Sequence, residues 1–553
     1  MIVALLLATS LSGSVIDDLY GNRLLFGDDG RPLVPLGMMQ GQRRVVLRAP
    51  GGLIVEINDQ RLEIPADTPI VVDRRSGTPA VTRDLLVVDT LEGDERQTKR
   101  ARLDHWKKRG VEARAYDVGG VYGVKGTVVD NRAVIIAATV LPPGLDDVRP
   151  VPLEWLDKAP TAIIRVSAPT ATQEGTLVRV RARDGGSVVV EKVEHSIGYA
   201  DHGHEDRLLR DEVLIVPDKR GLLAVVNVVD ENDMVAGVLP SEMFATAPLE
   251  ALKAQAVTAR GELFAKIGRR HFADPFLVCS EQHCQVYRGQ SAEHPRTNEA
   301  ARLTAGELAF LDGHVVDSVY SACCGGHTEP ADVVWDRPKK KELMGRPDAP
   351  VASSSSSSSS LPTWLHPELA AGFFSLKVVH DRVESVPAIA VVMSSEVEVR
   401  SFLDKPRETA WCGRSSLNQK GSAWRWERRF TKAEIDKAFG DLGVGEVSRI
   451  AIDERGPGGR LRALRVDGSL GSTRVLRELP VRKRLNNLRS GLFVVDEERD
   501  EAGALIAVTL KGAGFGHGSG MCQQGAIGMA EAGATYKDIL GHYYNGAVVK
   551  RVF

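Results

Sequence analysis

The chain has 553 residues, of which 43% are hydrophobic and 26% charged, and its formal net charge is -2 at pH 7. This composition is that of an ordinary globular protein, and the near-zero charge argues against a nucleic-acid partner. The length exceeds what one hydrophobic core holds and indicates several domains, at roughly 100–200 residues each.

The N-terminal residues 1–20 contain a short apolar run followed by small residues. The run is too short to span a bilayer, but it fits the hydrophobic region of a signal peptide, although the usual preceding basic residues are absent. We therefore predict export, to the periplasm or cell envelope. The alternative is a buried N-terminal segment. No later segment has the long uncharged apolar run of a membrane helix, so we expect no transmembrane helix.

Residues 21–82 alternate short apolar runs with Gly and Pro, which predicts a strand-rich N-terminal segment. Residues 83–145 predict a small α+β unit, with a strand at 85–89, a helix at about 95–109 and strands at 111–116 and 128–136. In size and pattern this unit is similar to the sporulation-related repeat that binds glycan strands. The alternative is an accessory scaffold domain.

A third, strand-rich region begins near residue 160, with alternating runs at 162–167 and 188–190. The unbroken serine run 353–360 cannot bury apolar surface and predicts a flexible insertion over about 338–365. The alternative is a linker between two independent domains. The predicted fold class is α+β: a strand-rich multi-domain protein whose mixed α/β catalytic domain, residues 160–553, is interrupted by this serine insertion.

The strongest candidate for chemistry is Glu242. Apolar residues at helical spacing after Pro248 predict a helix, and the preceding residues predict a strand followed by a short loop that holds Glu242. Its neighbours Leu239 and Met243 are apolar. An apolar setting raises the pKa of a glutamate, so that it can donate a proton near neutral pH. The alternative is an exposed loop glutamate.

Seven blocks of the chain resemble, in order, the motifs of the sporulation stage II protein D (amidase-enhancer) family. They are residues 238–243 (VLPSEM), 251–260, 284–289, 319–329, 488–493, 514–526 and 542–546. The resemblance covers about residues 160–553 and leaves the residues before 160 uncovered.

The resemblance implies a lytic transglycosylase that cleaves peptidoglycan glycan strands, with Glu242 as the general acid and 1,6-anhydro ends on the products. This chemistry requires neither a second carboxylate nor a cofactor. A second hypothesis is a non-catalytic peptidoglycan-binding protein that stimulates a cell-wall amidase. A third is a structural envelope protein whose N-terminal domains do the binding.

Four residues depart from the family pattern. Asn232 and Met234 stand where family members often have Glu and Tyr, and Cys522 and Gln524 replace Ser and Tyr in the last glycine-rich block. These changes bear on substrate positioning and leave the predicted acid intact.

The glycine-rich blocks supply candidate substrate-binding residues, because glycine allows tight turns that bring backbone N–H groups close to a sugar. The candidates are Ser321, Gly325, Gly326, His327, Thr328, His517 and Gln523. The alternative is tight packing of turns, with the histidines satisfied in the core.

A metal or a disulfide is predicted where His271, Cys279, His283 and Cys284 lie close in sequence. Cys and His are the usual zinc ligands, and the resemblance adds that some family members carry zinc in this region. We choose His271, Cys279 and Cys284 as ligands of a structural zinc, with water or substrate in the fourth position. The competing interpretation is a Cys279–Cys284 disulfide, which suits an exported protein.

Overall fold

The computed structural model describes residues 14–553 except 28, 59, 123–128, 146–147, 149, 170, 198–201, 336–338, 351–373, 380–381, 388–391 and 419–422. The first thirteen residues of the predicted signal peptide and the serine run 353–360 therefore lie outside the described residues. Within the described residues, no helix is both long and apolar enough to cross a membrane.

The chain divides into two compact units. The first spans residues 1–245, 259–317 and 550–553, and the second spans residues 246–258 and 318–549. The predicted domain boundaries near residues 82, 145 and 160 fall within the first unit and remain predictions.

The first unit is rich in strands, as predicted. Its elements begin with α1 (Ser14–Tyr20), β1 (Leu25–Phe26), β2 (Pro32–Gln42), β3 (Arg44–Arg48), β4 (Leu53–Ile57), β5 (Gln60–Ile64), β6 (Ile70–Thr78), β7 (Val81–Glu92), α2 (Lys99–Lys108), β8 (Arg114–Val118), β9 (Val121–Tyr122), β10 (Val129–Asp130) and β11 (Ala133–Ala138). They continue with β12 (Val151–Lys158), β13 (Thr161–Ala168), β14 (Ala171–Gly175), β15 (Val178–Ala182), β16 (Val188–His195), β17 (Gly203–Leu209), β18 (Glu212–Pro217) and β19 (Leu223–Asp230). The last are α3 (Glu231–Glu242), α4 (Leu249–Lys266), which contributes residues to both units, β20 (Val278–Cys279), α5 (Pro295–Leu303), β21 (Glu307–Leu311) and β22 (His314–Val315).

Three sheets contain most of these strands. An eight-stranded sheet has the order β1-β2-β19-β18-β15-β4-β5, with β20 paired to β2 in parallel. A six-stranded sheet has the order β14-β13-β6-β3-β16-β17, and a four-stranded sheet the order β12-β7-β11-β8. Strand β19 is buried along nearly its whole length and leads directly into α3, so the eight-stranded sheet positions that helix.

Helix α1 packs into the core of the eight-stranded sheet. Val15 and Leu19 are buried against a cluster that includes Val226 and Phe276. The Tyr20 hydroxyl donates to the Pro217 carbonyl at 2.8 Å. For residues 14–20 this packing matches the alternative of a buried N-terminal segment, and export remains a prediction.

The predicted α+β unit has the expected order of elements. Strand β7 covers the predicted strand at 85–89, α2 lies within the predicted helix, and β8 and β11 follow. Trp106 of α2 packs with Leu91, Val111 and Ile136 in a small core of its own. The sheet and helix therefore bury apolar faces against each other, which is what makes so short a unit stable.

The second unit contains β23 (Tyr320–Ser321), α6 (Ala331–Trp335), β24 (Phe374–Val379), β25 (Arg382–Pro387), α7 (Glu396–Leu403), α8 (Trp411–Arg414), β26 (Arg425–Thr431), α9 (Lys432–Phe439), β27 (Val447–Arg455), β28 (Leu461–Gly468), β29 (Gly471–Leu476), α10 (Glu478–Arg484), β30 (Phe493–Arg499), β31 (Leu505–Ala513), β32 (Met521–Cys522), α11 (Gln523–Glu531), α12 (Tyr536–Tyr543) and the first half of β33 (Val548–Arg551). Two three-stranded sheets, β26-β31-β30 and β27-β28-β29, share a core with α9. Helices α7, α9 and α12 each begin with a capping box, which satisfies the first free N–H groups of the helix. The mixed strand and helix content of both units confirms the α+β fold class.

Candidate active site and metal centre

Glu242 is the last residue of helix α3. The sequence predicted a strand and loop here, and this local expectation is wrong. Asp230 caps the helix by accepting from the Asn232 N–H at 2.8 Å, and the helix then buries every residue from Met234 to Leu239. The β-branched residues that suggested a strand serve the buried face of a helix, since tertiary packing outweighs their intrinsic preference.

The end of α3 gives Glu242 a partly apolar setting. Glu242 is half-buried, and its neighbours Leu239 and Met243 are buried. Pro240 lies inside the last turn. The Met243 N–H still bonds the Leu239 carbonyl at 2.9 Å, so the turn that carries Glu242 stays closed.

The family-like blocks of the first unit hold α3 in place. A Cβ atom at Gly237 would lie 2.5 Å from the Tyr287 ring, so only glycine allows this close approach. Tyr287 is itself fixed by donating its hydroxyl to Asn227 of β19 at 3.0 Å. The close contact of Gly237 with Tyr287 therefore joins α3 to the segment that follows β20.

Asp233 is a second carboxyl group on α3 with a perturbed pKa. Burial raises the pKa of Asp233 to about 6, although Arg210 opposes the shift. It precedes Glu242 by nine positions, about 14 Å along a helix axis. That distance exceeds the roughly 5–9.5 Å between the paired carboxyl groups of glycoside hydrolases, so Asp233 is not a second carboxylate for Glu242.

Four potential metal ligands meet in the first unit: His271, Cys279, His283 and Cys284. Their donor atoms lie within 4.8 Å of one another. His271 Nε2 is 3.3 Å from Cys284 Sγ, and His283 Nδ1 is 3.6 Å from the same sulfur and 3.8 Å from Cys279 Sγ. These separations fit the edges of a zinc tetrahedron, in which Zn–S is about 2.3 Å and Zn–N about 2.0–2.1 Å.

The surroundings of this cluster also fit a metal site. His271 Nδ1 lies 2.9 Å from the Asp274 carboxylate, an arrangement that orients a histidine ligand through its other ring nitrogen. The structure has Cys279 and Cys284 as free cysteines. His271, Cys279 and Cys284 were the ligands predicted from the sequence, with water or substrate in the fourth position. His283 was not among the predicted ligands, although it directly precedes Cys284.

In the second unit, the glycine-rich blocks meet at a parallel pair of short strands. Ser321 of β23 is in register with Cys522 of β32. Gly325 has φ 77°, and a Cβ there would lie 2.7 Å from the Gly514 nitrogen. The two blocks therefore pack backbone against backbone, which glycine permits. The Ser321 hydroxyl is buried and makes no hydrogen bond within the described residues.

His327 and Thr328 lie inside this packing. His327 is buried and its Nδ1 donates to the Thr328 carbonyl at 2.7 Å. Burial lowers the pKa of His327 to about 4, which keeps the ring neutral at pH 7. The Thr328 hydroxyl donates to the Arg346 carbonyl at 3.2 Å and accepts from the Arg346 N–H at 2.8 Å. These contacts favour the packing alternative for both residues, while their predicted role in substrate binding remains a prediction.

Glu329 and Arg460 extend the buried polar network, and sequence reasoning did not single them out. Glu329 accepts from the Gly458 and Arg460 N–H groups at 3.0 Å each. The Arg460 guanidinium donates to the carbonyls of His327 and Cys324. The sequence around Glu329 and Arg460 gives little indication that they are buried, because a charged residue in a glycine-rich segment is usually exposed.

His517 lies at the surface of the same unit, where its ring packs on Trp335. The ring centroids are 4.7 Å apart with an angle of 55° between the planes, and both side chains are half-buried. The Ser519 N–H donates to His517 Nδ1 at 3.1 Å, which leaves Nε2 as the protonated nitrogen of a neutral ring. Gln523, at the start of α11, donates to the Gln255 side chain at 3.2 Å.

Comparison with known proteins identifies the region around Glu242. Residues 219–310 match the family model of the Stage II sporulation protein, and this segment contains both Glu242 and the His271–Cys284 cluster. Over this segment the chain is similar to the Stage II sporulation protein family. Residues 366–520 match a second model, described as a domain of unknown function.

Three known proteins illustrate the similarity. The amidase enhancer of Bacillus subtilis is 27% identical over 333 residues, which is 57% of this chain and 40% of that protein. Stage II sporulation protein D of the same organism is 24% identical over 379 residues, which is 66% of this chain and 87% of that protein. An uncharacterized protein of Brachyspira hyodysenteriae is 27% identical over 324 residues, which is 59% of this chain and 67% of that protein. The chain thus spans less than half the length of the amidase enhancer.

Proposed function

We propose that this protein is an exported lytic transglycosylase that cleaves the glycan strands of peptidoglycan. The observation that carries the proposal is Glu242, half-buried at the end of α3 between buried apolar neighbours, within the segment that matches the family model. A half-buried glutamate beside apolar side chains suits the role of a general acid.

In the proposed reaction Glu242 donates its proton to the glycosidic oxygen, and the bond from that oxygen to the anomeric carbon breaks. The C6 hydroxyl of the same sugar then forms a bond to the anomeric carbon and returns its proton to the Glu242 carboxylate. The ring so formed is the 1,6-anhydro end. No water is consumed, so one carboxyl group serves both proton transfers. The distance of Asp233 from Glu242 agrees with a reaction that needs no second carboxyl group.

We propose a structural zinc ion at His271, Cys279, His283 and Cys284. The donor separations fit tetrahedral zinc, and Asp274 orients His271. The ion would tie β20 and the turn that follows it to the segment after α4, and would supply folding free energy rather than catalysis. With four protein ligands no position stays open for substrate.

The His517–Trp335 pair is the best-supported candidate for glycan contact in the second unit. Aromatic rings present an apolar face with polar groups at the edge, which suits the mixed surface of a sugar. Phe515 is 44% exposed, and the Arg489 guanidinium lies over its ring at 5.5 Å. Phe515 and His517 are two positions apart in the glycine-rich block, so that each presents an aromatic or imidazole ring from this block.

A second candidate function is stimulation of a cell-wall amidase without glycan cleavage. It is favoured by the similarity to a protein named amidase enhancer. Under that proposal the partners are peptidoglycan and the amidase, and Glu242 has no chemical role.

Glu242→Gln separates the two proposals, since it keeps the size of the side chain and removes the transferable proton. Purified full-length protein is incubated with peptidoglycan, and soluble products are analysed by mass spectrometry. The unaltered protein should release 1,6-anhydro products, and Glu242→Gln should reduce the rate by roughly a hundredfold or more. Glu299→Gln is the matched control, because Glu299 is an exposed glutamate of α5 in the same unit.

Glycan binding should be similar in all three proteins. If the unaltered protein binds but releases nothing, the transglycosylase proposal fails, and an amidase assay with and without the protein tests the second candidate. Products with new reducing ends would indicate hydrolysis and would also overturn the proposed reaction.

A further inference from the structure

We propose a second zinc site, built from Cys324, Asp348, Cys412 and Cys522 in the second unit. These residues are distant in sequence, and none was predicted as a metal ligand. The site is separate from the His271–Cys284 cluster and does not depend on the proposed enzymatic activity.

The donor atoms of the four residues have the spacing of a single metal ion. All of them lie within 4.8 Å of one another. Cys324 Sγ is 3.7 Å from Cys412 Sγ and 3.3 Å from Asp348 Oδ2. Tetrahedral zinc with Zn–S of about 2.3 Å and Zn–O of about 2.0 Å places its ligand atoms about 3.5–3.8 Å apart. The two measured separations are close to these values without any movement of the backbone.

All four residues are fully buried, with no exposed fraction for any of them. A buried carboxylate beside three thiols is costly unless a cation or a set of hydrogen bonds compensates it. Asp348 is held by the Tyr543 hydroxyl on Oδ1 at 2.6 Å and by the Cys412 N–H on Oδ2 at 2.9 Å. One oxygen is thereby directed at the thiols, as expected of a monodentate metal ligand.

Backbone groups and a cation surround the sulfur atoms. The N–H groups of Cys324 and Gly525 approach Cys522 Sγ at 3.1 and 3.3 Å. The second of these belongs to the first turn of α11, where the helix dipole favours a thiolate. Arg425 donates to the carbonyl of Gly325, next to Cys324, at 2.9 Å. Such partners stabilise the negative charge that a site with three thiolates and a carboxylate keeps after binding Zn²⁺.

Two other uses of the cysteines fit the geometry less well. A Cys324–Cys412 disulfide requires an S–S distance of about 2.05 Å, whereas the two atoms are 3.7 Å apart and both residues are free cysteines. An iron–sulfur cluster distributes its cysteines over several iron atoms and needs room for inorganic sulfide. Four donors gathered within 4.8 Å leave room for one ion.

The site would join three parts of the second unit. Cys324 directly precedes the Gly325–Gly326 turn, Cys522 directly precedes Gln523, and Cys412 belongs to α8. Cys412 lies in the segment that matches the domain of unknown function. The inferred ion therefore anchors that segment to the two glycine-rich blocks.

The test measures zinc in purified full-length protein by elemental mass spectrometry. Cys412→Ser and Cys522→Ser should each hold one equivalent of zinc less than the unaltered protein. Cys323→Ser is the matched control: Cys323 is an equally buried neighbour outside the four ligands, and it should keep the full metal content. His283→Ala should lose the zinc of the His271–Cys284 cluster instead. The double variant His283→Ala/Cys412→Ser should therefore hold two equivalents of zinc less than the unaltered protein.

Cobalt substitution of the unaltered protein keeps the proposal testable if a variant fails to fold. Tetrahedral cobalt bound by thiolates gives intense visible and charge-transfer bands, and a site with three thiolates should contribute bands that remain in His283→Ala. The proposal is overturned if Cys412→Ser folds and keeps all its zinc. It is also overturned if mass analysis of the unaltered protein without reductant shows a bridge between these cysteines.

Discussion

Arg260 and Glu231 form a buried ion pair, with the Arg260 Nε donating to Glu231 Oε2 at 2.5 Å. Their side chains are 0% and 5% exposed. The other Glu231 oxygen accepts from the Gly306 N–H at 3.1 Å, and the guanidinium also approaches the Asn232 side chain and the Glu307 carbonyl. Arg260 lies on α4 and Glu231 is the first residue of α3, so the pair fixes the start of the helix that ends at Glu242.

Arg260→Met should lower the free energy of unfolding by about 3–5 kcal/mol, because it leaves the Glu231 carboxylate buried without its charge partner. Adding Glu231→Gln should recover part of the loss, since the double variant buries no unpaired charge. Urea unfolding of the three variants and the unaltered protein measures both effects. If Arg260→Met lowers the free energy of unfolding by less than about 1 kcal/mol, the pair contributes no more than a solvent-exposed ion pair does. That result would contradict the buried geometry.

Glu329→Gln should also destabilise the protein, by about 1–3 kcal/mol. Glu329 is fully buried and accepts two backbone N–H groups, and an amide offers only one acceptor in its place. Thermal or urea unfolding at constant pH measures the loss. Glu398→Gln, an exposed change at the start of α7, is a control that should cost less, because it removes only a capping contact.

The stability difference between the unaltered protein and Glu329→Gln should depend on pH. Burial raises the pKa of Glu329 from 4.5 to about 7, with Arg460 opposing the shift and Glu478 adding to it. Between these values the folded state holds a proton that the unfolded chain has released. The unaltered protein should therefore lose stability relative to Glu329→Gln as the pH rises from 4.5 to 7. Urea unfolding across this range measures the free energy of unfolding of the unaltered protein minus that of Glu329→Gln. An increase of this difference with pH would contradict the raised pKa of Glu329.

His283→Ala should remove about one equivalent of zinc and lower the melting temperature, because a structural ion contributes folding free energy through each of its ligands. His202→Ala is a control with an exposed histidine of the same unit, and it should change neither quantity. Elemental analysis and calorimetry measure the two effects. Zinc retained in full by His283→Ala would restrict the ligands to the three residues chosen from the sequence.

Trp335→Ala should weaken glycan binding several-fold, since it removes the ring on which His517 packs. Stacking on an aromatic ring is worth about 0.5–1.5 kcal/mol. Leu470→Ala removes a large apolar side chain that is 78% exposed in the same unit and should leave binding unchanged. Sedimentation with insoluble peptidoglycan compares the variants. Equal binding by Trp335→Ala and the unaltered protein would remove this patch from the proposed glycan surface.

The sequence was a reliable guide wherever the determining pattern was local. Alternating runs located β13 and β16, and the apolar spacing after Pro248 located α4. It failed at α3, because Val235 and Val238 favour strands by themselves and only the cap at Asp230 and burial against the sheet make them helical. The residues and order of the motifs also indicated the resemblance to the Stage II sporulation protein family, because a motif can be read without knowing how the chain folds.

The tertiary structure decided which polar residues meet. Cys324 and Cys412 are 88 positions apart, and Cys324 and Cys522 are 198 apart, yet they share one buried cluster with Asp348. No periodicity in the sequence records such a contact, because it depends on how separate strands and helices pack. The same holds for His327, which resembles a ligand residue in its glycine-rich motif but is buried by Arg460 and its neighbours. Residue type and local spacing determine what chemistry a side chain can perform, whereas burial and long-range packing determine which partners it has.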